Sequence, residues 1–347
     1  MRTNNLARLD SLTLPQLERI LDHHTQERIP VDRFTAFSWS TSRHGTFERC
    51  RRQYYLNYYG ARRVRDARDK AISAIWWLKQ VAPLRIWIGS VIHEVAQDAV
   101  RRHAKGLPVS RSDVVSQTIS LYWDGVEASR RGIKRGSQWL VLFEHVYPDA
   151  PPLVEGEDPE KSAEEIVRQR AESFFDSEGW QLIQSLPPDR VAEVDEEFQS
   201  FTLTGVPEMP GGVTVFAIPD VLLRDGEHIT IIDWKTGGVD YESIRQQAGV
   251  YRLYAHWTYD VPEEAITVKI ADLAGDGALV DPPDGTPSLS EAEQFVRGSI
   301  AQMFASMQSI DYNTVAIKDF PRTDDLNVCQ MCGFKRACWR HSGADSA

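Results

Sequence analysis

Apolar residues near the start of the chain recur at helical spacing, and Leu14, Leu17, Ile20 and Leu21 predict a short helix over 14–23. From about residue 71 to 190 the same rhythm dominates. An acidic, proline-rich stretch from Pro148 to Pro159 interrupts it, so this part reads as helix with a loop inside. At Val191 the texture changes: Val191 to Leu203, Val213 to Arg224 and Glu227 to Trp234 alternate and are rich in β-branched residues, which predicts three strands. Asp225-Gly226 reads as a hairpin turn between the last two. Tyr241 to Trp257 returns to helical spacing, and Ile266 to Leu273 reads as a further strand. Ser290, with Glu293 three residues on, reads as the start of a last helix. The order strand-strand-strand-helix-strand, preceded by helices and without internal repeats, predicts one α/β core with additions.

At 347 residues and 42% hydrophobic content, the chain can bury a core as one large domain with an insertion or as two domains. Its net charge of −11 argues against a protein that coats nucleic acid over its whole surface, but leaves room for a local basic groove. Neither an export signal nor an apolar run of roughly 18 residues is present, so the expectation is a soluble, cytoplasmic protein with no membrane partner. In that setting the four cysteines point to metal or redox chemistry rather than disulfides.

The densest candidate chemistry lies between Phe216 and Gly238. With Asp225-Gly226 as a two-residue turn, Arg224 faces Glu227 and Asp220 falls opposite Ile231, making Asp233 its diagonal neighbour on one face. Lys235 shares the parity of Asp233 and points the same way. Two carboxylates and a lysine so arranged suit phosphodiester hydrolysis: oxygen ligands hold Mg²⁺ or Mn²⁺, the ion acidifies a water, and the ammonium balances developing charge. The competing reading is a pair of solvated acids and a surface lysine, since Asp-x-Lys alone is common. Pro219 marks an edge or bulge, and bulges gather beside active sites. Gly89 stands one turn before His93, a nitrogen ligand or a structural histidine; Gln247 and Tyr251 stand one turn apart after the hairpin, as site residues or as packing.

Cys329, Cys332 and Cys338 are spaced by two and five intervening residues, and Cys50 lies near the other end. Four thiolates suit zinc or an iron-sulfur cluster, and the chemistry alone does not choose. Between Arg49 and Lys70 eight basic residues stand against Asp66 and Asp69. Arg49, Arg51, Arg52, Arg62, Arg63, Arg65 and Arg68, interleaved with Tyr54, Tyr55, Tyr58 and Tyr59, offer phosphate contacts and stacking platforms for a single strand. The alternative is a solvated helix with its aromatics in the core. A second basic knot, from Arg130 to Arg135, either extends the track or forms a loop.

In order, Ser40-x-Ser42, Phe47-x-x-Cys50, Gly89-x-x-x-His93, Asp220, Asp233-Trp-Lys235 and Gln247-x-x-x-Tyr251 resemble the PD-(D/E)XK superfamily. Within it they are most similar to the RecB-like, cluster-bearing nucleases of CRISPR-adaptation and AddB type. The resemblance implies an α/β restriction-endonuclease-like core, a mixed central sheet flanked by helices, with a helical insertion and an iron-sulfur staple. It divides the chain into an N-terminal extension (1–34), a cluster-linked segment with the histidine motif (35–94), the insertion (95–190), the nuclease core (191–320) and the cysteine motif (321–347). It implies that His93, Asp220, Asp233 and the Trp234 carbonyl bind Mg²⁺ or Mn²⁺ and that Lys235 assists catalysis. Gln247 and Tyr251 would flank the site, and Glu196 or Glu197 would add a supporting carboxylate; from the basic stretch itself, Arg52, Arg62 and Arg63 are expected to contact DNA. Cys50, Cys329, Cys332 and Cys338 would hold a 4Fe-4S cluster in preference to zinc. The expected activity is that of a DNA exonuclease on single-stranded or end-containing DNA, in repair or defence, with a non-catalytic DNA-binding subunit as the alternative. The chain has no P-loop, so any helicase activity would come from a partner. Two positions depart from the usual pattern: Asp233 where glutamate is common, and Arg51 where proline is usual.

Overall fold

The computed structural model describes residues 2–26, 37–61, 69–136, 138–148, 150–156, 158–194, 199–237, 240–306 and 315–338. Two helices open the chain, α1 (Arg2–Asp10) and α2 (Leu14–Gln26), the second three residues longer than its apolar spacing indicates. Strand β1 (Ser38–Trp39) leads into α3 (Thr41–Arg49) and α4 (Arg51–Tyr55), with Cys50 as the N-cap of α4. Then come α5 (Lys70–Lys79), β2 (Val81–Ala82), α6 (Leu84–Ala104) and α7 (Arg111–Arg131). A small hairpin, β3 (Lys134–Arg135) and β4 (Gln138–Trp139), precedes β5 (Val141–Leu142), α8 (Phe143–Val146), α9 (Pro159–Asp176) and α10 (Glu178–Ser185).

The strand region is more divided than its periodicity predicts. β6 (Val191–Glu193) and β7 (Ser200–Leu203) occupy different sheets, as do β8 (Val213–Phe216) and β9 (Val221–Asp225). The break between β8 and β9 contains Pro219, which cannot donate to a ladder. β10 (His228–Lys235), α11 (Tyr241–Tyr259) and β11 (Ile266–Asp272) form a strand-helix-strand unit, its two strands parallel. This follows from geometry, because parallel neighbours need a long crossover and α11 supplies it. β12 (Leu279–Val280), α12 (Leu289–Ala305), α13 (Leu326–Gln330) and α14 (Lys335–Cys338) complete the chain.

The main sheet runs β12-β11-β10-β9-β6 and is mixed; a second runs β1-β8-β7. Alternate residues of β9 and β10 feed two apolar cores. Leu222, Ile229 and Ile231 pack with α11, α12 and the N-terminal helices, whereas Val221, Leu223, Ile232 and Trp234 pack with α6, α7, α9 and α10. The first core includes Leu9, Leu17 and Leu21, so α1 and α2 are built into it.

Two local readings shift. The central residues of the β9–β10 turn are Gly226 and Glu227, because His228 pairs with Asp225. Gly226 has φ 63, the positive value that the first position of a II′ turn demands and an aspartate there would resist. Leu222 rather than Asp220 therefore faces Ile231, and the pairing ends at Ile232 opposite Val221, one residue short of Asp220. The capping box of α12 is Ser288 with Glu291, two residues earlier than expected; Glu293 instead reaches Arg297 one turn on.

Candidate active site

β9 begins only at Val221, opposite Ile232, while antiparallel β10 continues to Lys235, which leaves the buried N–H of Trp234 without a strand partner on that side. Asp220 Oδ2 accepts it at 2.7 Å. Satisfying that donor pins the carboxylate at the strand end. Its other oxygen, Oδ1, lies 2.9 Å from His93 Nδ1. His93 arrives from α6, and Gly89 explains how the helix comes so close: a Cβ there would stand 2.9 Å from Thr236 Oγ1.

Asp233 is 2% exposed. The Tyr251 hydroxyl lies 3.0 Å from its Oδ1 and 3.1 Å from the Ile218 carbonyl. Lys235 Nζ stands 2.5 Å from Asp233 Oδ2 as an ion pair, without the geometry of a hydrogen bond, and donates to Gln247 Oε1 at 2.7 Å. Gln247 Nε2 donates in turn to the Tyr251 hydroxyl at 2.7 Å. Asp233, Lys235, Gln247 and Tyr251 thus close a ring, with the last two one turn apart on α11.

The electrostatics favour positive charge. Burial by itself would depress the His93 imidazole, yet Asp220, through charge and hydrogen bond, and Asp233 behind it carry it up to about 9. Burial raises the Asp233 carboxyl and the charge of Asp220 adds to this, while Lys235 and His93 oppose it. A buried carboxylate oxygen lacking a hydrogen bond, beside a second acid and an imidazole, is the donor set of a hard divalent cation. Among the described residues no three His, Cys, Asp or Glu side chains hold a metal geometry as they stand. At this site the acids are instead engaged by His93, Lys235 and Tyr251. All six side chains line one groove of about 1490 Å³.

The other expected residues divide. Arg52 is not brought to the groove: it is buried, with Nε on the Phe320 carbonyl at 2.9 Å and an amino group 2.7 Å from Glu18, tying α4 to α2 and the C-terminal segment. Arg62, Arg63, Arg65, Arg68, Glu196 and Glu197 lie outside the described residues. Tyr54, Tyr55 and Tyr59 are core residues, packed around Phe320. The nearest described acid on β6, Glu193, accepts from Tyr254 and Tyr259 on α11. Thr236 and Ile218 take part in the site without any sequence signal that singled them out.

The same C-terminal segment brings the cysteines together. Arg52 N–H donates to the Pro321 carbonyl, Thr25 to the Val315 carbonyl, and Arg336 pairs with Asp10. Cys50 Sγ caps α4 by accepting from Gln53 N–H. Burial pushes the Cys332 thiol up to about 11, with Cys50 and Cys329 adding by charge, and the Cys338 thiol up to about 12, with Cys332 and Cys50 adding. None of the four is in a disulfide. Cys332 and Cys338 thus resist ionising, and with Cys50 and Cys329 beside them they form a set of four sulfurs that a soft metal centre would stabilise, although they do not stand at ligand geometry.

The family model of the PD-(D/E)XK nuclease superfamily matches residues 38–339, from β1 through α14. The chain belongs to that superfamily. PD-(D/E)XK proteins are metal-dependent nucleases, hydrolases that generally use Mg²⁺ or Mn²⁺. The expected mixed α/β architecture is present, and the superfamily match spans the helical block as well as the sheet. Comparison with curated proteins and with solved structures gives no match. Among the described residues no helix is long and apolar enough to cross a membrane.

Proposed function

We propose that this chain is a RecB-like DNA nuclease, an exonuclease acting on single-stranded or end-containing DNA in repair, recombination or defence. The observation that carries the reading is the meeting of His93, from a helix, with Asp220, Asp233 and Lys235 at the end of one β-ribbon. His93, Asp220, Asp233 and the Trp234 carbonyl would hold Mg²⁺ or Mn²⁺, which when bound supplies Lewis acidity and an acidified water. Lys235, steered by Gln247, exchanges its contact with Asp233 for the attacking water and the phosphoryl oxygens, where its charge is worth most as negative charge develops. Tyr251 holds Asp233 in place and keeps Gln247 oriented. His93 and Asp220 brace each other, and the Trp234 N–H keeps Asp220 from turning away.

Residues 95–190 form an insertion within a nuclease core made of 35–94 and 191–320. Cys50, Cys329, Cys332 and Cys338 hold a 4Fe-4S cluster that staples the two ends of the superfamily region. Support comes from the convergence of the ends and from the electrostatic coupling among these thiols. Any helicase activity belongs to a partner.

The test is digestion of end-labelled single- and double-stranded DNA with Mn²⁺. Wild-type protein shortens the labelled strand; Lys235→Ala and Asp233→Ala lose at least a hundredfold in rate, an order of magnitude typical of removing transition-state charge stabilisation. Cleavage undiminished in both variants refutes the site, and metal-dependent binding without any cleavage assigns a non-catalytic DNA-binding subunit.

A further inference from the structure

The groove that holds the acids extends well beyond them. Its far wall is built by the helical block: Leu121 of α7, Arg135 and Gly136 of the small hairpin, and Ile166 of α9 all line it. The basic knot from Arg130 to Arg135 is divided by this arrangement. Arg130 pairs with Glu160, Arg131 with Glu127, and Lys134 lies over Trp139; of the knot's residues only Arg135 lines the groove.

Arg135 is held there in a specific way. Its guanidinium lies over the Trp87 ring at 5.1 Å, and one amino group stands 2.8 Å from Glu94. Trp87 is itself fixed, donating its indole N–H to the Tyr122 carbonyl at 3.1 Å and filling the space of the absent Cβ of Gly125. Glu94 follows His93 in α6, so the arginine is tied one residue along from the imidazole that touches Asp220. A guanidinium has five N–H donors. A stack on its face and one carboxylate leave an edge for an anion, and preorganisation lowers the entropy cost of binding it. By contrast, Arg101 and Arg170, also in the groove, spend donors on backbone carbonyls. Arg85, in the first turn of α6, lines the groove and is exposed.

Beside these charges stand two apolar side chains that the core does not cover, Ile86 at 54% exposure and Ile218 at 38%; both line the groove, and Ile218 is two residues before Asp220. Exposed isoleucines next to a phosphate-handling centre gain little from a stacked, paired duplex, whose base faces are already covered. They gain from an unstacked base.

We propose that Arg135, with Arg85, is a phosphate-binding point for nucleotides beyond the scissile one, and that Ile86 and Ile218 take the faces of unpaired bases, so that one DNA strand lies in the groove. This rests on the nuclease reading of the same groove and adds which residues of the helical block grip the strand.

The test is fluorescence-anisotropy binding of a labelled single-stranded oligonucleotide across a salt series, made in the Lys235→Ala background with Ca²⁺. Each phosphate contact to a single strand contributes about 0.7 to the slope of log affinity against log salt. Arg135→Gln and Arg85→Gln are each expected to weaken binding about three- to tenfold and to flatten that slope by about 0.7. Arg131→Gln, on the outer face of α7, leaves affinity and slope unchanged. Ile86→Ser and Ile218→Ser weaken binding without altering the slope, and a blunt duplex of the same sequence competes poorly. Slopes of the Arg135 and Arg85 variants equal to that of Arg131→Gln overturn the proposal, as does a duplex that competes equally. An arginine-dependent slope in a chain that cleaves nothing with Mn²⁺ would sink the nuclease reading and leave this one standing. Mn²⁺ cleavage with no arginine dependence does the reverse.

Discussion

The Tyr251 hydroxyl meets three groups at once: it accepts from Gln247 and lies within hydrogen-bond distance of Asp233 Oδ1 and the Ile218 carbonyl, while its ring packs in the main core. Removing only the oxygen separates these roles. Tyr251→Phe keeps the packing, yet frees Asp233 to turn and leaves Gln247 Nε2 without its acceptor. The expected result is a loss of about ten- to a hundredfold in Mn²⁺ affinity or turnover, the range seen when supporting groups behind metal ligands are removed. Calorimetric titration with Mn²⁺ on the folded variant checks it, and an unaltered Mn²⁺ affinity and turnover would remove Tyr251 from the site. At this scale the sequence was informative for residues whose chemistry is narrow. Asp220, Asp233 and Lys235 do line one groove, although the hairpin register that brings them there differs from the one their spacing indicates. Arg52 is different: an arginine in a basic run is equally suited to a phosphate and to a buried carboxylate, and Glu18, thirty-four residues earlier, decided the matter.

At the level of elements, the site depends on α6 lying against the end of β10. Gly89 permits this, since a methyl group there would meet Thr236 Oγ1 at 2.9 Å. Gly89→Ala is therefore expected to push the helix or the threonine aside and move His93 from Asp220, lowering cleavage about tenfold; overpacking of this kind costs about 1–3 kcal/mol. Adding Thr236→Ala makes room and restores activity, whereas Thr236→Ser retains the oxygen and does not. The double-mutant comparison, read as initial rates with Mn²⁺, distinguishes a steric contact from a generic effect of altering the helix. A Gly89→Ala protein with the same rate as wild type would show that this close approach does not set the site. The elements themselves were legible where a single periodicity held. The elements expected over 14–23, 241–257 and 266–273 are present as Leu14–Gln26, Tyr241–Tyr259 and Ile266–Asp272, each end within three residues of the expected one. Reading failed where two sheets share one stretch of alternating residues, because alternation is identical on either side of the break at Ala217 to Asp220.

Across the whole molecule, the first and last described segments fold into one unit. α1 and α2 lie in the main core, and the segment from Val315 to Cys338 returns to contact α1, α2 and α4. This convergence brings Cys50 to the C-terminal cysteines. If they hold an iron-sulfur cluster, anaerobically purified protein is brown and contains about four irons per chain. Cys332→Ser then bleaches it and lowers the melting temperature by about 5 °C or more, because a link between distant parts of the chain is lost. Stoichiometric zinc in a colourless protein would replace the cluster by a zinc site, and metal-free protein of unchanged stability would remove the staple altogether.

What the sequence determined by itself was the chemistry: a pair of acids and a lysine on one ribbon face, a histidine one turn after a glycine, an amide and a phenol one helical turn apart, and four thiols. Short-range geometry suffices for these, because strand and helix periods fix which neighbours share a face. Tertiary structure decided what those groups meet. It changed the hairpin register by moving the turn to Gly226-Glu227, so that Leu222 rather than Asp220 faces Ile231, and it sent the Tyr54 to Tyr59 aromatics inward. It also turned Arg135 alone of its basic knot toward the groove. Those outcomes depend on contacts between residues dozens to hundreds of positions apart, whose packing no local pattern encodes.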